Sequence, residues 1–249
     1  MRYFLRLAYD GSSFHGWQRQ PNAVSVQQRL EEALSTILRH PVDLTGAGRT
    51  DTGVHAREMY AHFDSDAPIE AERFLRSLNR MIGSDIAVGR LLPVIPEAHA
   101  RFDAISRSYS YHIITHKDPF RERYAHRMER LPNLDAMNEA AAILLQTEDF
   151  TSFAKLHSDS LTNLCDVSHA QWVAEGDGAI RFDISANRFL RNMVRAVVGT
   201  LLEVGTGKLN LDGFKSVIYE KDRCAAGMSV PAKGLFLTRI VYPDNIFLL

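Results

Sequence analysis

The chain has 249 residues, of which 45% are hydrophobic and 24% charged. These proportions suit one large domain or two smaller ones and exclude a disordered or fibrous chain. The 29 basic and 30 acidic residues leave a net charge of -1, which excludes a strongly basic nucleic-acid-coating protein but not a local basic surface.

Residues 2–10 alternate, with Tyr3, Leu5, Leu7 and Tyr9 on one face of a predicted strand. No apolar run long enough for a signal peptide or membrane span follows, so a cytoplasmic protein is expected. Residues 11–22, rich in Gly, Ser, Gln and Asn and carrying Trp17, read as a loop. Ser25 is a predicted N-cap with Gln28 in the capping-box position. Val26, Leu30, Ala33, Leu34, Ile37 and Leu38 then predict a helix over 26–39 that stops before Pro41. A short strand at 42–45 runs into a glycine-rich loop from Gly46 to Gly53. A strand at 59–63, a helix at 70–82 stopped by Gly83 and a strand at 86–92 complete the first half. That order suggests a split β-α-β unit with an antiparallel component.

The second half rhymes with the first. Tyr109, Tyr111, Ile113 and Thr115 alternate in a strand, and Asn133 caps a helix at 134–146. Strands at 167–174 and 180–185 form a hairpin around Glu175-Gly176-Asp177-Gly178. Helices at 187–204 and 211–219 and a closing strand at 235–242 follow. Two related α+β halves are therefore expected, 1–103 and 104–249.

The loop from Gly46 to His55 is the densest chemical signal. Three glycines permit unusual backbone angles and close approach of another molecule around Arg49 and Asp51. A cation two residues away can keep the Asp51 carboxylate ionised, which suits a nucleophile, a general base or a metal ligand. A tight turn in which Arg49 and Asp51 cap each other would use the same residues. Asp51-Thr52-Gly53 also matches the tripeptide of aspartic proteases, but those need two such carboxylates sharing a proton, and this chain supplies one. Gly205-Thr206-Gly207-Lys208 is not a P-loop, because it follows a helix and Leu209 replaces Ser or Thr. Gly46-x-Gly48 lacks the third glycine of a dinucleotide fingerprint.

Tyr109 and Tyr111, two apart on a strand, point to one side roughly 7 Å apart. They suit either base stacking or a buried aromatic face. Arg188, Arg191 and Arg195 fall at i, i+3 and i+7 on the predicted helix, and Arg195 meets its apolar part, so it needs an anionic partner. Residues 101–130 carry seven Lys and Arg, among them Arg101 and Arg107, against four Asp and Glu. This is a modest basic patch suited to phosphates or to an ordinary solvated face. Cys165 and Cys224 read as reduced thiols outside any metal spacing, and the ten histidines do not cluster, so no metal is expected.

Taken together, these residues resemble the TruA-type tRNA pseudouridine synthases. Tyr9-Asp10-Gly11-Ser12 through Gly16-Trp17-Gln18-Arg19-Gln20 is similar to the family's opening motif, Ser25-Val26-Gln27 to its helix start, and residues 47–56 to its catalytic loop. Ala100-Arg101-Phe102, Arg107-x-Tyr109-x-Tyr111, Asp149-Phe150-Thr151-Ser152-Phe153, Met193-Val194-Arg195 and Gly234-Leu235-x-Leu237 follow in the family's order. Thr52, where the family more often has Ala, and Phe14, in place of Tyr, are mild departures.

The resemblance implies an α+β fold of two similar halves around a mainly antiparallel sheet with a central catalytic cleft. It makes Asp51 the catalytic aspartate with Arg49 beside it, Tyr109 the stacking partner of the target uracil, and Arg195 a basic partner of the aspartate. Leu235 becomes an apolar wall, and Arg101 and Arg107 substrate contacts. It further implies a cofactor-free homodimer that modifies uridines 38, 39 and 40 in the anticodon stem-loop of tRNA. An aspartic protease and a non-catalytic RNA-binding protein are the competing readings, and each leaves part of this set unused.

Overall fold

The computed structural model describes residues 1–155 and 161–248. In chain order the elements are β1 (Arg2–Tyr9), α1 (Val26–Leu38), β2 (Thr45–Gly46), β3 (His55–Asp64), α2 (Ala71–Met81), β4 (Ile86–Val94), β5 (Ser106–Ile114), β6 (His126–Arg127), α3 (Leu134–Ile143), β7 (Val167–Gly176), β8 (Ala179–Ala186), α4 (Met193–Gly205), α5 (Leu211–Glu220) and β9 (Leu235–Val241). The fold is mixed α/β with mainly antiparallel strands. The chain divides into two compact units, Met1–Ile105 with Leu237–Leu249, and Ser106–Phe236. The closing strand, expected with the second half, thus belongs to the first unit from Leu237 onward.

In the first unit the strand order is β4-β1-β3-β9, with β1 antiparallel to both β3 and β4. The alternating Tyr3, Leu5, Leu7 and Tyr9 are all buried. Phe4, on the opposite side of the same strand, is buried too, edge-on to Tyr242 at 5.3 Å and Phe247 at 6.1 Å. The second face is covered only at Phe4, while Arg6 and Ala8 stay partly exposed and keep the alternation. Tyr3 stacks on Phe63 and Phe63 on Phe74, which seats α2 on the sheet. Ser25 caps α1 by accepting from the Gln28 amide at 3.2 Å, as the spacing predicts.

The strand expected at 42–45 is not formed there; only Thr45–Gly46 pairs, with Ala61 and His62 of β3. The cause lies in α1. The Val42 amide donates to Ser35 Oγ at 3.0 Å and the Leu44 amide to Glu31 Oε1 at 3.2 Å, while the Leu44 carbonyl accepts from Gln27 at 2.8 Å. Helix side chains take the groups that a ladder would have used.

In the second unit β8 lies between β5 and β7, antiparallel to both, and β6 runs parallel to β5. The β7–β8 turn forms at the expected site, with Asp177 at φ 45° and Gly178 at φ 66°. Two adjacent left-handed residues match the twist of the flanking strands. Asn133 caps α3, which packs on β7, α4 and α5. The helix expected at 187–204 starts only at Met193. Asn192 is left-handed at φ 67°, and the residues before it are tied elsewhere. Asn187 exchanges two hydrogen bonds with Asp166, and the Arg191 carbonyl accepts from the Lys155 amide. Arg188, Arg191 and Arg195 therefore do not share a helix face, which corrects the i, i+3, i+7 expectation.

Candidate active site

Asp51 sits, half-exposed, between two anchored stretches of backbone. On one side Thr50 is buried, and its hydroxyl shares a 2.8 Å hydrogen bond with the Tyr9 hydroxyl. The Thr50 carbonyl accepts from the Trp17 amide at 3.1 Å. On the other side the Val54 amide returns to the Asp51 carbonyl at 3.1 Å. This closes a turn whose third residue is Gly53 at φ 77°, the position that demands a left-handed backbone. The buried His55 holds its Nδ1 3.0 Å from both the Gly11 amide and the Asp10 carboxylate.

The 11–20 segment is thus the cradle of the Asp51 loop, and the sequence reading missed its role. Trp17, placed in a surface-type loop by composition, is almost completely buried and lies 6.1 Å from the Tyr9 ring. A Cβ on Gly46 would overlap the Trp17 indole, and one on Gly11 would overlap the Val54 carbonyl oxygen. The available signal was the unusual pairing of a large aromatic with two glycines in one polar stretch.

Arg49 does not form the mutual cap with Asp51 that the loop reading allowed. Its side chain is exposed and makes no ion pair or hydrogen bond among the described residues. Arg101, also exposed, lies over the Phe102 ring at 5.6 Å.

The remaining expected residues belong to the second unit. Tyr111 is the core member of the tyrosine pair, fully buried with its hydroxyl donating to the Pro231 carbonyl at 2.9 Å. Burial pushes that hydroxyl's pKa well up against the opposing charge of Arg195, so it stays a neutral donor. Tyr109 is half-buried and meets Phe189 edge-on at 5.1 Å. Arg195 stands half-buried in the first turn of α4 and donates through Nε to the Val230 carbonyl at 2.7 Å. Arg107 donates to the Asn187 carbonyl at 2.8 Å. Leu235 is buried at the start of β9, directly after Gly234, whose missing side chain makes room for the Tyr111 ring. In this unit the structure gathers Arg195 and Tyr111 at the adjacent carbonyls of residues 230 and 231, while Tyr109 and Arg107 contact the 187–189 segment.

Among the described residues, no group of three or more His, Cys, Asp or Glu is placed to hold a metal ion, and no helix is long and apolar enough to cross a membrane. The arrangement offers a carboxylate on an over-determined loop and, separately, an aromatic strand with a guanidinium fixed at a helix start.

A family model described as tRNA pseudouridine synthase matches residues 140–243. The tRNA pseudouridine synthase A of Parabacteroides distasonis is 55% identical over 247 residues, covering 99% of this chain and 98% of that protein. The chain belongs to the tRNA pseudouridine synthase A family. As a member it is an isomerase. The same likeness extends to the tRNA pseudouridine synthase A of Bacteroides thetaiotaomicron, 53% identical over 99% of this chain and 92% of that protein. That of Bacillus subtilis is 38% identical over 98% of this chain and 100% of that protein. The matched stretch 140–243 of this family member includes Arg195 and Leu235; the Asp51 loop lies outside it, in the span that the full-length relatives cover.

Proposed function

We propose that this isomerase converts uridine to pseudouridine in tRNA, at positions 38, 39 and 40 of the anticodon stem-loop, with Asp51 as the nucleophile. Pseudouridine formation breaks the N-glycosidic bond, turns the uracil and rejoins it through C5. The C5 proton is lost and N1 gains one, so no atom is added and no redox partner is needed. A carboxylate can assist by attacking the ribose carbon or by adding to the base ring. Either route needs the carboxylate held still, and the observation that carries this reading is the anchoring of backbone on both sides of Asp51.

The target uridine leaves its stack, at a cost of a few kcal/mol. Tyr109 stacks on the freed uracil, Leu235 supplies the apolar wall, and Arg49, Arg101 and Arg107 hold phosphates. An exposed Arg49 with no ion pair or hydrogen bond among the described residues is well suited to that task. The reading includes a cofactor-free, metal-free homodimer in the cytoplasm, built from two similar halves.

The test is carbodiimide mapping of pseudouridine in unmodified tRNA transcripts, with chelator and no added cofactor. The wild type forms pseudouridine at 38–40; Asp51→Asn and Asp51→Ala form none yet still bind the tRNA. Full activity of either variant refutes the assignment. The role that the resemblance gives Arg195 is tested by Arg195→Gln, which should lower kcat while tRNA binding is retained; wild-type kcat would refute it.

A further inference from the structure

Beyond Arg101 and Arg107, the basic patch of residues 101–130 is not used in the reading above, and its central part has a defined shape. Asp118 opens a single helical turn. Its carboxylate accepts from the Phe120 amide at 2.9 Å, and its carbonyl accepts from the amides of Arg121 at 3.1 Å and Glu122 at 2.8 Å. Contacts from the turn reach residues elsewhere in the second unit. Glu122 receives Lys233, whose Nζ donates to the Glu122 carbonyl at 2.7 Å, and lies 3.6 Å from Arg127. Arg121 lies 3.6 Å from Glu175, and the Tyr124 ring lies 6.3 Å from that of Phe236.

Residues three apart on such a turn share a side. Phe120 and Arg123 are so spaced, and Lys117 lies just before Asp118, at the entry to the turn. All three are exposed, Phe120 at 88%, and Lys117 and Arg123 form no ion pair among the described residues. The Asp118 carboxylate accepts from the Phe120 amide, and the Glu122 carboxylate lies 3.6 Å from both Lys233 and Arg127. What faces outward is a cation, an aromatic ring and a second cation on a fixed support.

We propose that the Lys117–Phe120–Arg123 strip is a second RNA contact surface, on which an unstacked tRNA nucleotide lies against the Phe120 ring with its flanking phosphates on Lys117 and Arg123. This rests on the reading of the chain as a tRNA-acting isomerase. An aromatic ring between cations is the pattern that holds single-stranded nucleic acid without reading its sequence. A single exposed phenylalanine is ordinary by itself; what carries the reading is its place between two exposed cations. The two cations supply affinity that falls with salt, and the ring supplies affinity that does not.

The full chain is tested with a transcript of a substrate tRNA. Phe120→Ala weakens tRNA binding about tenfold and Phe120→Trp restores it. The double variant Lys117→Gln/Arg123→Gln makes the plot of log affinity against log salt shallower by about 1.4. Turnover at saturating tRNA stays at the wild-type value in all three, and circular dichroism melting confirms that they fold. Unchanged affinity and salt slope overturn the proposal. So does a changed sedimentation coefficient of the free protein with unchanged tRNA affinity, which would make the strip a protein contact. Either result leaves pseudouridine formation by the wild type standing, whereas absence of pseudouridine in the wild-type reaction would sink the functional reading itself.

Discussion

Gly16 is the point at which the Asp51 loop is most exposed to a single substitution. Its φ is 86°, and an added Cβ would stand 2.5 Å from the Thr50 carbonyl oxygen and 3.2 Å from the Asp51 carbonyl carbon. Gly16→Ala therefore carries two penalties. A left-handed backbone at a residue with a Cβ costs about 1–2 kcal/mol. Overlap with backbone, which no rotamer change relieves, costs about 1–3 kcal/mol more. Together about 2–5 kcal/mol lowers the melting temperature of a chain this size by about 4–20 °C. The relieving movement is a retreat of Thr50 and Asp51 from Gly16, and a displacement approaching 1 Å at the proposed nucleophile lowers turnover by about a hundredfold. Pseudouridine formation at saturating tRNA, measured with KM, should show the loss in kcat. Gly48→Ala is the stability control, because no heavy atom lies within 4 Å of its added Cβ. Its melting temperature should stay within about 2 °C of the wild type. Wild-type kcat and melting in Gly16→Ala, or equal destabilisation by Gly48→Ala, would refute the reasoning.

Tyr9→Phe removes the buried hydroxyl contact to Thr50 and should cost about 1–2 kcal/mol in urea unfolding, with kcat falling more than KM rises; unchanged stability would show that the contact contributes nothing. His62 is held near a pKa of about 4 by burial and by the neighbouring His99 and Arg2. Its unfolded form protonates near pH 6.5, so stability is intact above that pH and declines as pH falls from about 6.5 towards 4. His62→Gln should flatten that part of the curve of urea midpoint against pH, and a persistent slope would assign it to another group. Burial raises the Cys165 thiol to about 11, whereas Cys224 is exposed. Iodoacetamide at pH 8 should therefore label one thiol in the native protein and the second only in urea, an order that equal labelling rates would contradict.

Legibility tracked how local the controlling interactions are. Caps at Ser25 and Asn133 and the turn at Asp177-Gly178 depend on residues within three positions, and each formed where the spacing placed it. The first misses came where distant groups competed for backbone. Ser35 and Glu31 took the amides of the strand expected at 42–45, and Asp166 and Lys155 took groups from the helix expected to start at 187. The candidate site divides the same way. Asp51 stood out among its glycines in the sequence, whereas Arg49 as its cap did not follow, because the guanidinium faces solvent.

The amino-acid order alone was enough for the class of elements and the strand alternation of Tyr3 to Tyr9, and for singling out Asp51 as the candidate chemical residue, since each rests on side-chain type and short spacing. Folding decided the rest. It buried Trp17 inside what composition marked as a loop, made Tyr111 a core residue while leaving Tyr109 half-exposed, and drew the end of the closing strand into the first unit. Such outcomes depend on which of several chemically equivalent partners, far apart in the chain, reaches a given amide or apolar face, and periodicity carries no record of that competition.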